Sequence, residues 1–266
     1  MLVKELCNIC APSGFEDEVR AFLRERATAD EIYTDTIGNL ICHKKGNGRK
    51  IMVSAHMDEV GFIITEITDD GFLKFDELGS IETAVMYGKK VLIVKNRIPG
   101  IIGAKAIHLQ RRDDVLNPPR IKDLCIDIGA KDKESAKKLV EIGDYASFDG
   151  EYTEFGENLV KSKALDDRVG CAVLLELMKE EYDSDIYFVF TAQEEVGLRG
   201  AIISANTIKP DIALVIEGTT CSDVYGSKPH NQVTNLGGGA VMTAMDRAAI
   251  SDRKYFDFIM KTAKEN

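Results

Sequence analysis

Tryptophan is absent from this sequence, and aromatic residues make up only 7% of it. Sugar-binding clefts often offer aromatic platforms, so the composition argues against a glycan groove. No apolar run approaches the ~20 residues of a membrane span; the longest are strand-sized. Nor is there a basic excess: 34 Lys and Arg face 44 Asp and Glu, for a net charge of −10. That balance argues against nucleic acid or an anionic membrane as the main partner. The opening MLVKELCNICAPSGFEDE is too polar for a secretory leader, and a soluble, cytoplasmic protein is expected. Cys7 and Cys10 form a CxxC, but a zinc ribbon would need a second such pair and none exists. The six cysteines are scattered among apolar neighbours, and reduced thiols packed in a core are expected.

What is present is an ordinary globular composition, 44% hydrophobic and 29% charged over 266 residues. That length holds one large domain or two modest ones. Ser13 followed by Glu16 reads as a capping box opening a helix with Val19, Phe22 and Leu23 on one face. Strand-like pieces follow at 32–33, 39–42 and 50–54. From about Gly61 to Phe155 the texture changes to short β-like runs (FIITEI, KKVLIVKN, PGIIGAKAI) between Gly, Asp-Gly and Pro signals, with one helical pattern near 133–140. A long helix is then predicted over 165–181, a buried strand over 185–191, a helix over 197–205 and another buried strand over 211–216. The alternation predicts a mixed α/β sheet with helices on both faces. Residues 1–63 and 156–266 are expected to form this domain in two pieces, with 64–155 as a β-rich insertion.

Three of the predicted strands run into unusual residues. IMVSA leads into His56-Met57-Asp58-Glu59, IYFVFTA into Gln193-Glu194-Glu195, and DIALVI into Glu217-Gly218. A fourth group, Asp166-Asp167-Arg168, stands at a predicted helix N-terminus. Sites in open α/β sheets form outside the carboxyl ends of strands, so one histidine and several acids are delivered to one edge. That donor set suits zinc, cobalt or manganese. A carboxylate can bridge two ions about 3.5–4 Å apart, an arrangement that serves hydrolysis. Asp58 lies two residues beyond His56, on the same face of an extended segment, where it can orient the second ring nitrogen. Of the adjacent Glu194 and Glu195, one can bind metal while the other acts as a base. Alone, His56 reads as a satisfied core or surface histidine, Asp166-Asp167 as a helix-dipole pair, and the Glu pair as a solvated loop. All three at element ends are hard to obtain by chance.

The segments SAHMDEVGF, KALDDRVG and TAQEEVGLRGA resemble the signature segments of the M42 metallo-aminopeptidases. APSGFEDEVR, GAKAIHL and DIGAKDKESA extend the resemblance over essentially the whole chain. Some members of that family carry the label glutamyl aminopeptidase, others cellulase or endoglucanase. The resemblance implies a phosphorylase/hydrolase-like α/β peptidase domain and an inserted β-barrel-like domain used in dimerisation. It implies homo-oligomers, dimers assembling into a tetrahedral dodecamer, and short peptides as substrates. It also implies two divalent metal ions per subunit. His56 would bind one, Asp166 would bridge both, Glu195 and Glu217 would complete separate ions, and Glu194 would be the general base. Glu217 stands where many members have aspartate. The family's last ligand, a histidine near the C-terminus, has no counterpart before Asn266, so the catalytic domain is expected to be C-terminally incomplete. His230, in GSKPHNQ, does not align with it. An inactive, assembly-only subunit is therefore the alternative, with an endoglucanase a more distant one. His108 in the insertion reads either as a plain hydrogen-bonded histidine, the favoured reading, or as a group reaching a neighbouring subunit's site.

Overall fold

The computed structural model describes residues 2–103, 106, 108 and 119–265. Two compact units are present, Met1–Gly218 and Thr219–Asn266. The first is built on a five-stranded sheet of order β1-β2-β12-β3-β13. Its strands are β1 (Glu31–Thr34), β2 (Leu40–Lys44), β3 (Lys50–His56), β12 (Asp185–Thr191) and β13 (Ile212–Val215). β1, β2 and β12 pair antiparallel, while β12–β3 and β3–β13 are parallel. The sheet is mixed, as expected.

The apolar runs of β3 and β12 follow from their place in the middle of this sheet. Side chains alternate between faces, and both faces are covered. On one, Leu40, Cys42, Val53, Ala55, Phe188 and Phe190 pack with α1 (Leu2–Asn8), α2 (Asp17–Arg26) and α5 (Leu165–Leu177). On the other, Ile41, Met52 and Val189 pack with Ile208 of α6 (Arg199–Ile208). Both strands therefore read as continuous apolar sequence rather than as alternation.

Between β3 and α5 lies a closed barrel of order β4-β5-β8-β7-β6-β9. Its strands are β4 (Gly61–Ile67), β5 (Leu73–Leu78), β6 (Lys90–Ile93), β7 (Ile98–Gly103), β8 (Cys125–Asp127) and β9 (Tyr145–Phe148). Phe62, Ile64, Leu73, Phe75, Val91, Ile102, Ile126 and Ala146 fill a core separate from that of the sheet. Helices α3 (Thr83–Met86) and α4 (Lys133–Lys137) interrupt the strands. β10 (Thr153–Phe155) and β11 (Leu159–Lys161) form a hairpin. The strands CID and YASF escape the sequence reading because three or four residues are too few to show a period, and LKFDEL because only Leu73 and Phe75 mark its buried face.

Three expectations need correction. Ser13 and Glu16 form no capping box. The helix begins at Asp17 with Glu16 as its N-cap and no side-chain cap bond, because the Ser13 hydroxyl donates to Asp58 and the Glu16 carboxylate accepts from Gly14 and Gln193. The strand over 211–216 is not buried: β13 forms an edge, and Val215 is 61% exposed. The long helix ends at Leu177 rather than near 181, and Asp166 and Asp167 at its start have non-helical backbones.

The second unit contains α7 (Arg253–Glu265), a short helical turn at Pro229–Asn231 and a single bridge between Met245 and Ile250. None of its described residues is buried. No helix among the described residues is long and apolar enough to cross a membrane.

All six cysteines are free thiols, with Cys7, Cys10, Cys42 and Cys171 buried. Burial pushes the Cys42 thiol up to about 12 and raises that of the fully buried Cys171. At pH 8 both stay protonated, and thiolate is the reactive form. Iodoacetamide should therefore label Cys221 and Cys125 in the native protein, and Cys42 and Cys171 only after denaturation. Peptide mapping of the alkylated sites reads this directly.

Candidate metal centre

Strand register brings the acidic segments together. β3 and β12 run parallel with Thr191 opposite His56. The Gln193-Glu194-Glu195 segment thus leaves the sheet beside the His56 segment. β13 pairs Val215 with Ser54 and the Ile216 N–H bonds to the Ser54 carbonyl, which carries Glu217 to the level of His56. Asp166 approaches from the start of α5.

His56 is the hub. Its Nε2 lies 3.1 Å from Asp166 Oδ1, 3.2 Å from Glu217 Oε1 and 4.0 Å from Glu194 Oε2. Its Nδ1 lies 3.1 Å from the Asp58 carbonyl and 3.5 Å from Asp58 Oδ1. Both are acceptors, so Nδ1 donates toward Asp58, and Nε2 faces the carboxylates of Asp166 and Glu217. Asp58 thus faces the second ring nitrogen, though its closer contact runs through the backbone carbonyl. The Asp58 carboxylate accepts from the Ser13 hydroxyl at 2.6 Å and from the N–H groups of Glu194 at 3.0 Å and Glu195 at 3.2 Å.

His56, Asp166 and Glu217 bring one ligand atom each within 4.8 Å of one another, and so do His56, Glu194 and Glu195. Every site residue taken from the sequence is therefore at this edge. The barrel reaches it as well: a β-carbon on Gly79, just past β5, would lie 3.1 Å from that of Glu195. His230 is exposed in the second unit and His108 is exposed, with residues 104, 105, 107 and 109–118 around it outside the described set.

Charge explains the local titration. Burial opposes protonation of His56, but hydrogen bonds with Asp166, Asp58 and Glu217 outweigh it and hold the imidazole well above its usual range. Burial works against the Asp58 carboxylate, yet hydrogen bonds from His56 and Ser13 keep it below the ordinary value. Asp166 is lowered by its hydrogen bond to His56. Burial raises Glu194 and Glu217 and takes Glu195 to about 7, the Glu194 charge adding to the last. Acids crowded against one imidazole and lifted by desolvation are the environment that a divalent cation relieves. The donor set of one imidazole nitrogen and several carboxylates suits such an ion.

Several supporting residues lie outside the metal-ligand and base roles expected from the sequence. Asp167 is buried, accepts from the His56 N–H at 3.2 Å and the Gly170 N–H at 3.1 Å, and is pushed up to about 8 by burial and by the Glu217 charge. A side chain at Gly170 would collide with the Asp167 carboxylate. Cys171 donates its thiol to the His56 carbonyl. Beneath them, buried Glu59 accepts from Lys163 Nζ at 2.8 and 2.9 Å and from the Ala11 N–H at 2.8 Å. The fully buried Arg168 guanidinium stands 3.8 Å from Glu59 and donates to the carbonyls of Leu6 and Ile9. Lys163, Asp167 and Arg168 flank Asp166 in one segment, so one ion-pair network seats both the helix start and the His56 loop.

A family model described as M42 glutamyl aminopeptidase matches residues 38–266. An aminopeptidase from the archaeon Desulfurococcus kamchatkensis superposes with a TM-score of 0.93 at 38% identity, over 99% of this chain and 76% of that one. The TET1 peptidase of Pyrococcus horikoshii, which assembles into a tetrahedron or a large octahedral shell, superposes with a TM-score of 0.87 at 34% identity, over 99% and 80%. A glutamyl aminopeptidase of Lactococcus lactis is 32% identical over 98% of this chain and 77% of its own length.

Lys163→Met leaves the Glu59 carboxylate buried without its nearest cation. Breaking a buried pair from one side typically costs about 3–5 kcal/mol. Urea unfolding should show a loss of that order, against less than about 1 kcal/mol for Lys179→Met at an exposed ion pair.

Proposed function

The chain belongs to the M42 peptidase family, and from that premise we propose that it is a metal-dependent aminopeptidase removing N-terminal residues from short peptides. The observation that carries this reading is the convergence of His56, Asp166 and Glu217 ligand atoms within 4.8 Å, with Glu194 and Glu195 beside them. Zinc, cobalt or manganese suits the donors. His56, Asp166 and Glu217 would hold one ion. Asp166 and Glu195 would hold a second. Both donor groups draw on His56, so only one ion receives its Nε2, and the second relies on carboxylates among the described residues. The ions, when bound, polarise the scissile carbonyl and lower the pKa of water.

The residues of the chain do the rest. Asp58 holds the His56 ring and, through its carboxylate, the backbone of the Glu pair. Glu194 Oε2 lies 4.0 Å from His56 Nε2, farther than the Asp166 and Glu217 oxygens, and its side chain is one-quarter exposed, which suits an acid left free of metal. Burial raises its pKa, which suits a base that takes a proton from the attacking water and returns it to the leaving amine. A histidine among the acids, and no tryptophan in the chain, separate this site from a metal-free pair of carboxylates across a sugar cleft. The barrel is the surface we assign to dimerisation, and the assembly to a dodecamer like those of similar TET peptidases.

Glu194→Gln should lower kcat on aminoacyl-nitroanilides by about 100-fold or more while bound metal is retained. Chelation should abolish turnover, and zinc, cobalt or manganese should restore it. A wild-type chain that binds no ion and turns over none of a panel of acidic, basic and apolar substrates would leave the assembly-only reading instead. Light scattering on a sizing column should give a mass twelve times that of one chain; a monomer or lone dimer would remove the dodecamer from the proposal.

A further inference from the structure

The segment that presents the two glutamates is held chiefly through its backbone N–H groups. Four consecutive N–H groups beyond β12 each meet a side-chain oxygen. Ala192 donates to Asn39 Oδ1 at 2.8 Å, Gln193 to Glu16 Oε1 at 3.2 Å, Glu194 to Asp58 Oδ1 at 3.0 Å and Glu195 to Asp58 Oδ2 at 3.2 Å. The three acceptors come from three different places in the chain, and each is at most 3% exposed. Gln193 has φ of 55°, a left-handed conformation that non-glycine residues adopt only when their surroundings hold them there.

We propose that Glu16 and Asn39 are positioning residues that, with Asp58, clamp residues 192–195 so that Glu194 and Glu195 face His56. The proposal rests on the reading of those glutamates as base and metal ligand.

Glu16 is otherwise hard to account for. It sits at the start of α2, where an acidic side chain would ordinarily cap the helix, yet it caps none of the helix N–H groups. The carboxylate instead turns back to the Gly14 N–H at 2.8 Å and across to Gln193, 177 residues further along. A buried carboxylate is costly to keep, and the contacts found for this one are backbone N–H groups rather than a lysine or arginine. Asn39 is fixed in turn. Its amide donates to Asp35 at 2.8 Å, to the Gly200 carbonyl at 3.0 Å and to Ser204 Oγ at 2.8 Å. That leaves its oxygen aimed at Ala192. Gly200 has no side chain because a β-carbon there would strike that oxygen and the Ala192 carbonyl. The Arg199 and Gly200 N–H groups close the far side of the loop on the carbonyls of Gln193 and Ala192.

The test compares Glu16→Met, which keeps the volume and loses the acceptor, with Glu16→Gln, whose amide oxygen still accepts. Residue-resolved amide exchange on the metal-free chain should show Gln193 to Glu195 exchanging roughly ten-fold faster in Glu16→Met and near the wild-type rate in Glu16→Gln. Zn²⁺ titration by calorimetry should show roughly ten-fold weaker binding in Glu16→Met and recovery in Glu16→Gln. Unchanged exchange at Gln193 in Glu16→Met, or a Glu16→Gln no better protected than Glu16→Met, overturns the clamp. If Glu16→Met does not fold, Glu16→Asp draws the oxygen back by one methylene with the charge kept, and the same exchange increase at Gln193 is required of it. Failure of the wild-type chain to bind Zn²⁺ would sink the metal reading while the exchange measurement still decides the clamp.

Discussion

The parallel pairing of β12 with β3, in the register that sets Thr191 against His56, is the constraint on which the site depends. Strand side chains have a period of two, so a slip of β3 by one residue would turn His56 to the other face and away from the Glu pair. Phe188, Phe190, Val53 and Ala55 on one face and Val189 and Met52 on the other make such a slip expensive. The register is thus secured by apolar burial on both faces, and the polar edge inherits its alignment from that core.

Beyond the strand ends, packing gives way to hydrogen bonding. The HMDE, ALDDR and QEE segments contribute side chains to the edge, but other side chains and backbone amides hold their backbones. Glu59 ties the loop after β3 to Lys163 and, through the Ala11 N–H, to the N-terminal segment. Asp167 links the helix start to the His56 N–H. Left-handed residues stand just before two of the acidic segments, Ala164 ahead of Asp166 and Gln193 ahead of Glu194. Such conformations cost about 1–3 kcal/mol each, and the network around them offsets that cost. An apolar sheet therefore carries an edge that concentrates like charge. Desolvation and mutual repulsion raise Glu194, Glu195 and Glu217 together, which is the electrostatic condition a cation stabilises.

Much of this was legible in the residue order, for identifiable reasons. IMVSAH and DIYFVFT are apolar because they are central strands, and the types of residue that follow them name the chemistry. The β-rich texture of FIITEI and KKVLIVKN reports the barrel because short alternating strands between turn signals leave that trace. Ser13 and Glu16 show where such reading stops. Their spacing matches a capping box, yet both side chains are drawn away by partners 45 and 177 residues distant. The apolar run of β13 misleads in the same way: it promises burial on both faces, and the strand lies at an edge with Val215 exposed.

The residue order by itself determined which groups are available at the sheet edge, since hydrophobic periodicity locates strand ends and the residues after them can be read directly. Tertiary structure alone decided how those groups meet: which His56 nitrogen faces the acids, that Asp167 is buried while Asp166 is exposed, and that Asn39, Glu16 and Asp58 converge on the amides of 192–195. Those facts depend on contacts between segments far apart in the chain. No local pattern records such contacts, because each acceptor is an ordinary polar residue until the fold supplies its donor.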